Sequence, residues 1–322
     1  MTANIPTDLT QISDLTRYGI TRAAVAIGVF DGVHRGHRKL LTELLTVSAE
    51  LDAVPVVMTF FPHPRSLLTP NPPHLLYPQR EKNRLLADSG VKAVVTVDFT
   101  RQFAALTPEE FLDRSVFAGP VSVEGICVGR HWRFGAQAAG NAEFLERMAA
   151  VRSFRFRAVD ELFLDDGQVI SSTAIREAVA SGRLDRAEQM LGRRYSLFGT
   201  VEHGYHNAGT RLDAPTANLK IEEGVTPPCG VYAAIAHLSE REQFAAAVNI
   251  GVAPTFREEY GDIDPRIEVH LLDGFRGDLY GRELHLELAA FIRPERKFPD
   301  IGSLKQQIGN DIRQIMQQLG RS

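Results

Sequence analysis

The densest chemistry in the sequence lies between Gly28 and His37, which reads Gly-Val-Phe-Asp-Gly-Val-His-Arg-Gly-His. Gly28, Gly32 and Gly36 let the backbone approach a ligand closely. His34 and His37, three residues apart at a helix start, fall on one face, so both imidazoles can donate to one set of phosphate oxygens. Phe30 and Asp31, between the first two glycines, are counted with Gly28, Gly32 and Gly36 as candidate nucleotide-binding residues. Free N–H groups and the positive end of the helix dipole add to the same field. The stretch suits stabilisation of charge on a polyphosphate. A G-x-x-x-x-G-K-[ST] loop is excluded because no Lys-Ser or Lys-Thr follows the glycines, and a dinucleotide turn gives the two histidines no role. The bland alternative is a tight turn with two surface histidines.

A second anion site is written at Ile170-Ser-Ser-Thr-Ala-Ile-Arg176. Ser171, Ser172 and Thr173 bring hydroxyls to another helix N-terminus, and Arg176 brings a guanidinium near its first turn. The alternative is a plain N-cap with a surface arginine.

These groups need a scaffold that holds them still. Ala23 to Phe30 is apolar and β-branched, as a central parallel strand is, while Leu40, Leu41, Leu44 and Leu45 repeat at helical spacing. The stretch from Gly28 to His37 is therefore a βα turn. Apolar runs at 54–60, 91–99 and 121–128 alternate with helical stretches at 81–89, after a capping box at Thr107 to Glu110, and after Asn141. Such alternation implies a mainly parallel sheet covered on both faces, with ligands beyond the carboxyl ends of its strands. Prolines at 62, 64, 70, 72, 73 and 78 are expected to keep 62–78 irregular, as a stiff connector or a flap over substrate. Residues 1–18 are expected to be a partly ordered lead-in.

A short helix capped near Asp185 ends at Gly192, and the pattern then changes to alternation at 231–238, 243–252, 267–272 and 284–292. These read as antiparallel strands of a small barrel, followed by a helix whose stripe of Leu304, Ile308, Ile312, Ile315 and Leu319 is core packing. At 322 residues two domains are the natural division, 1–192 and 193–322.

Lys and Arg number 36 against 40 Asp and Glu, a net charge of −4, so no global basic field points to nucleic acid or an anionic membrane. Cys127 and Cys229 lie in separate halves without metal-ligand spacing, which argues against a disulfide framework and fits a reducing cytoplasm. The first twenty residues lack a signal-peptide core, and no run is long enough to cross a bilayer. The sequence leaves a homo-oligomer open.

The H-x-G-H stretch resembles the signature of the nucleotidylyltransferase superfamily, in its flavin-adenylylating branch, and Ile170 to Arg176 resembles the I-S-S-T-x-I-R motif of the same family, whose arginine contacts nucleotide phosphates. In the second half, Pro215-Thr-Ala-Asn218, Asn249-Ile-Gly251 with Pro254-Thr-Phe256, and Glu268 resemble the riboflavin kinase module. The whole chain from about residue 20 is thus similar to the bifunctional prokaryotic riboflavin kinase/FAD synthetase family. The resemblance implies a doubly wound α/β nucleotidylyltransferase-like domain and a β-barrel kinase domain. It implies ATP and Mg²⁺ with riboflavin, FMN and FAD as substrates or products, Pro215, Thr216 and Asn218 at Mg²⁺-ATP, with Thr216 and Asn218 holding the metal, and Glu268 as base for the ribityl hydroxyl. Three positions depart from the family pattern: Asp213-Ala214 stands for Gly-Phe, His131 precedes Trp132 where an acid or amide is usual, and Phe61 stands where Asp is frequent. Two other readings stay open, a monofunctional FMN adenylyltransferase with a degenerate barrel, and a nucleotidylyltransferase for another phosphorylated precursor carrying an oligonucleotide-binding barrel. The acidic balance counts against the last.

Overall fold

The computed structural model describes residues 5–202, 217–239, 241–251, 266–272, 274–275 and 277–321. The chain divides into two compact units, residues 1–75 with 79–172, and residues 76–78 with 173–322.

The first unit is built on strands β1 (Arg22–Ile27), β2 (Val54–Phe61), β3 (Ala93–Asp98), β4 (Ser122–Gly129) and β5 (Arg155–Val159). All pair in parallel, in the order β3-β2-β1-β4-β5. β1 is central and is buried along its length after Arg22, which explains its run of Ala, Val and Ile. The winding reverses between β1 and β4, and a doubly wound sheet binds ligands at the carboxyl ends beside such a reversal. The helices of this unit are α1 (Arg35–Leu51), α2 (Pro64–Leu68), α3 (Gln79–Ala87), α4 (Arg101–Ala104), α5 (Pro108–Phe111) and α6 (Ala142–Arg152). α1 buries Leu40, Leu41, Leu44 and Val47. Gly125 lets it seat on β4, since a Cβ there would lie 3.0 Å from both Val47 and Leu51. α7 (Ser172–Ala180) and α8 (Leu184–Leu191) follow.

Three expectations change here. The lead-in is core: Leu9, Ile12 and Leu15 are buried, and the N–H groups of Val94 and Thr96 donate to the carbonyls of Pro6 and Leu9, extending the sheet at its β3 edge. The proline-rich segment contains α2, because Pro64 stands at the helix start, where its missing N–H has no partner to lose. α8 has no side-chain cap; Asp185 lies inside its first turn instead, where its charge meets the positive dipole end.

The second unit, to which α7 from Thr173 onward and α8 belong, holds a closed antiparallel barrel in the order β10-β7-β6-β11-β8-β9. Its strands are β6 (Ser196–Glu202), β7 (Ala217–Ile221), β8 (Gly230–His237), β9 (Gln243–Gly251), β10 (Arg266–Leu271) and β11 (Glu283–Arg293), and α9 (Ile301–Gln318) follows. On β10, Ile267, Val269 and Leu271 are buried while Glu268 and His270 are half-buried, the alternation of a strand with one face in the barrel core. The stripe of α9 is core at Ile315, which packs with Val231 and Ala233. Asp311 is also buried there, where Arg293 holds it by two-pronged contacts of 2.8–3.0 Å.

Candidate active sites

The turn after β1 is shaped by close contacts rather than by flexibility. Gly28 takes its N–H to the Met58 carbonyl at 3.1 Å, and a Cβ on it would meet the Phe30 ring at 3.1 Å. Phe30, Gly32 and Val33 all have left-handed backbone, with φ of 55°, 80° and 37°. For Phe and Val that conformation is uphill and must be imposed by surroundings. Phe30, Asp31, Val33 and His34 are all buried.

His34 is the N-cap of α1, its Nδ1 accepting the N–H of His37 at 3.3 Å. The two imidazoles stack with centroids 3.6 Å apart, and His37 also leans on Phe30 at 5.2 Å. Gly36 packs under the His34 ring, where a Cβ would lie 3.1 Å from Cε1 and Nδ1 and 3.5 Å from the Ile170 carbonyl. Ser172 Oγ donates to the Asp31 carbonyl at 2.9 Å. The Gly28–His37 turn and the start of the Ser171-Ser172 motif are thereby joined. Thr173 and Arg176 lie further along α7.

One residue that sequence reading passed over stands beside this turn. Lys82, 6% exposed, donates to oxygens of Val29, Thr59 and Phe60. Glu81 is buried next to it and is gripped by Arg84 at 2.7 and 2.8 Å. A signal for Lys82 existed: Leu85 and Leu86, three and four residues on, put it on the apolar face of α3. Cys127, by contrast, is no nucleophile, since burial pushes its thiol up to about 12. In the loop after β4, Trp132 stacks on Phe134 at 4.7 Å, and His131 stands exposed with Nε2 3.9 Å from Glu161. Arg130 bonds Asp160, and that hydrogen bond holds the carboxyl below the usual range.

In the barrel, Asn218 on β7 stands directly opposite Glu268 on β10, and Glu268 directly opposite Asn249 on β9. Glu202 on β6 faces Asn218 from the other side. Directly paired residues share a face, so the row Glu202, Asn218, Glu268, Asn249 lies on the outer surface of the barrel. Asn249 Nδ2 donates to Glu295 at 3.4 Å, and Glu295 fills the space a Cβ on Gly251 would need. Pro215, Thr216, the Asp213-Ala214 departure and Pro254-Thr-Phe256 lie outside the described residues.

Among the described residues no cluster of three or more His, Cys, Asp or Glu side chains could hold a metal ion, and no helix is long and apolar enough to cross a membrane. An amide oxygen beside carboxylates is a sparse oxygen-donor set. That set fits Mg²⁺, which keeps most of its waters and binds mainly through substrate phosphates.

Comparison with known proteins agrees with this two-part construction. A family model for FAD synthetase matches residues 19–174, and one for riboflavin kinase matches residues 191–319. The bifunctional riboflavin kinase/FMN adenylyltransferase of Escherichia coli (strain K12) is 38% identical over 289 residues, 89% of this chain and 90% of its own. The protein of the same name from Haemophilus influenzae is 36% identical over 291 residues, 90% of this chain and 92% of its own. A crystal structure named as a macrolide-efflux protein from Streptococcus pneumoniae superposes with a TM-score of 0.79 at 29% identity, covering 91% of this chain and 93% of that one, and contributes the likeness in fold. With these two family matches together covering most of its length, and relatives of 36–38% identity along about nine-tenths of it, the chain belongs to the family of bifunctional riboflavin kinase/FMN adenylyltransferases.

Proposed function

We propose that the chain makes FMN from riboflavin and ATP in its barrel, and FAD with release of pyrophosphate from FMN and ATP in its sheet domain. We take the functional boundary at 192/193, twenty residues beyond the division of the compact units at 172/173; the end of α8 at Leu191, the opening of the barrel with β6 at Ser196 and the gap between the family matches at 174 and 191 support that reading. The observation that carries the adenylyl-transfer reading is the stacked pair His34 and His37 at the dipole end of α1, on the turn that leaves the central strand.

In adenylyl transfer the FMN phosphate attacks the α-phosphorus of ATP and pyrophosphate leaves, with no covalent enzyme intermediate. Catalysis then rests on positioning and on donors aimed at developing charge. His34 and His37 serve as those donors, the backbone of Gly28, Phe30, Asp31, Gly32 and Gly36 lines the nucleotide, and Ser171, Ser172 and Thr173 bind it. Arg176, carried on the same helix as Ser172, contributes a charge-assisted contact to the phosphates.

In the kinase reaction Glu268 takes the proton of the ribityl primary hydroxyl as the γ-phosphoryl arrives. Pro215, Thr216 and Asn218 bind Mg²⁺-ATP, with Thr216 and Asn218 on the metal. Bound Mg²⁺ supplies neutralisation of phosphate charge. The pairing of Asn218 with Glu268 supports this, because it sets an amide oxygen beside a carboxylate on one face.

Incubating the pure protein with Mg²⁺ and ATP, and with either riboflavin or FMN, then resolving the flavins by chromatography, tests both halves. FMN followed by FAD from riboflavin is expected. FAD from FMN without any FMN from riboflavin would remove the kinase half.

A further inference from the structure

We infer that Lys82 is a positioning residue for adenylyl transfer: its buried ammonium fixes the Val29 carbonyl, and with it the turn that carries His34 and His37. The first turn of α3 drives this side chain inward, and its Nζ donates to Thr59 Oγ1 at 3.2 Å, the Phe60 carbonyl at 3.3 Å and the Val29 carbonyl at 3.4 Å. Thr59 is fully buried, and its hydroxyl donates to the same Val29 carbonyl at 3.0 Å. One ammonium thus ties together a helix, the carboxyl end of β2 and the chain leaving β1.

Burying an ammonium is expensive, and an apolar side chain of similar length would fill the same space without that cost. What lies next to it explains its presence. Val29 is the residue just before the left-handed run at Phe30, Gly32 and Val33. A strained run persists only where its ends are over-determined, and two donors converge on the carbonyl at this end. The Phe30 carbonyl then accepts from the Val33 N–H at 3.1 Å, which carries the constraint on to His34. Near-attack geometry at a phosphorus is lost with displacements of about 1 Å, at a cost of roughly a hundredfold in rate. The inference rests on the reading of this turn as the site of adenylyl transfer.

The test uses the full-length protein with Lys82→Met and Thr59→Val, singly and together, measured in both reactions. Lys82→Met is expected to lower kcat for FAD formation about a hundredfold while KM for ATP and FMN moves less than about threefold. FMN formation from riboflavin in the same sample should keep its rate. The double variant should be no slower than Lys82→Met alone, because both changes act through one carbonyl. A retained kcat, a loss confined to KM, or losses that multiply would each overturn the inference. Should Lys82→Met fail to fold, Thr59→Val decides alone: about a fivefold or greater fall in kcat at unchanged KM supports it, and an unchanged kcat overturns it. His37→Ala run in parallel separates the two levels. If it keeps the wild-type FAD rate, the reading of the turn fails and the inference falls with it, whereas a retained kcat in Lys82→Met beside an inactive His37→Ala overturns the inference alone.

Discussion

His34 and His37 lie face to face, ring centroids 3.6 Å apart and planes 19° apart, while Nδ1 of His34 accepts the backbone N–H of His37 at 3.3 Å. A ring nitrogen that accepts cannot carry the proton, so neutral His34 holds its hydrogen on Nε2. The cap therefore selects the tautomer. Helix initiation and site chemistry are the same contact here.

His37→Ala is expected to abolish FAD formation from FMN and to leave FMN formation from riboflavin near the wild-type rate. The H-x-G-H turn belongs to the sheet domain, so the two activities should separate. Flavin chromatography of both reactions checks this, and equal loss of both in a folded variant would sink the two-site reading.

At position 34 capping and chemistry can be pulled apart. His34→Ala removes the cap and should destabilise the sheet domain by about 1 kcal/mol, whereas Asn, a strong N-cap, should recover most of that. Neither side chain places an imidazole donor at the phosphates, so both should lose about a hundredfold in FAD formation. Thermal melting and steady-state rates measured together decide the point. An active His34→Asn would make His34 a cap and nothing more.

How much of this could be read in the chain depends on whether the deciding contact is local. The H-x-G-H turn was legible because strand, glycines and helix follow one another within a few residues. β5 was not, since its Arg-Phe-Arg-Ala-Val is an edge strand whose charges face outward and hide the alternation. Leu9, Ile12 and Leu15 looked like an ordinary lead-in because the sheet edge that receives them forms more than eighty residues later. Asp311 sits within an apolar stripe of α9, where Gln307 one turn back donates to it at 2.6 Å, and the arrival of Arg293 from β11 supplies the charge that pairs it. The facing of Asn218 and Glu268 is of the same kind. β7 and β10 are not neighbours in sequence, so their register is set by closure of the barrel.

Glu268→Gln keeps the shape of the side chain and removes its basic oxygen. Phosphorylation of riboflavin should stop, with riboflavin affinity little changed and adenylylation of supplied FMN intact. Flavin fluorescence titration and product analysis read the two effects separately. A wild-type kinase rate would remove Glu268 from the role of base.

Acid stability of the barrel should depend on Glu287. The His237 imidazole, 3.8 Å away, and the Arg194 guanidinium, 3.2 Å away, hold its carboxyl below the usual range. A depressed folded-state value means that the stabilisation is present above the unfolded pKa and is lost as pH falls through the folded one. Melting followed downward from about pH 5 should therefore fall less steeply in Glu287→Gln than in wild type. Parallel acid limbs for the two proteins would show that the carboxylate does not set this dependence.

Gly36→Ala opposes two effects whose sizes can be compared. Alanine in a helix is worth up to about 1 kcal/mol over glycine, less at the second position of α1 than in its interior. Against this, the new Cβ would lie 3.1 Å from Cε1 and Nδ1 of His34, so the ring must move by a few tenths of an ångström. His34 is buried and stacked on His37, so movement disturbs the cap and the paired donors at once. The stability terms nearly cancel, and the melting temperature should stay within about 4 °C of wild type. Catalysis has no offsetting term, so FAD formation should fall about tenfold at unchanged FMN formation. A variant with the wild-type FAD rate would show that the His34 ring need not stay where it is found, and that the glycine serves only the close passage of the helix beneath it.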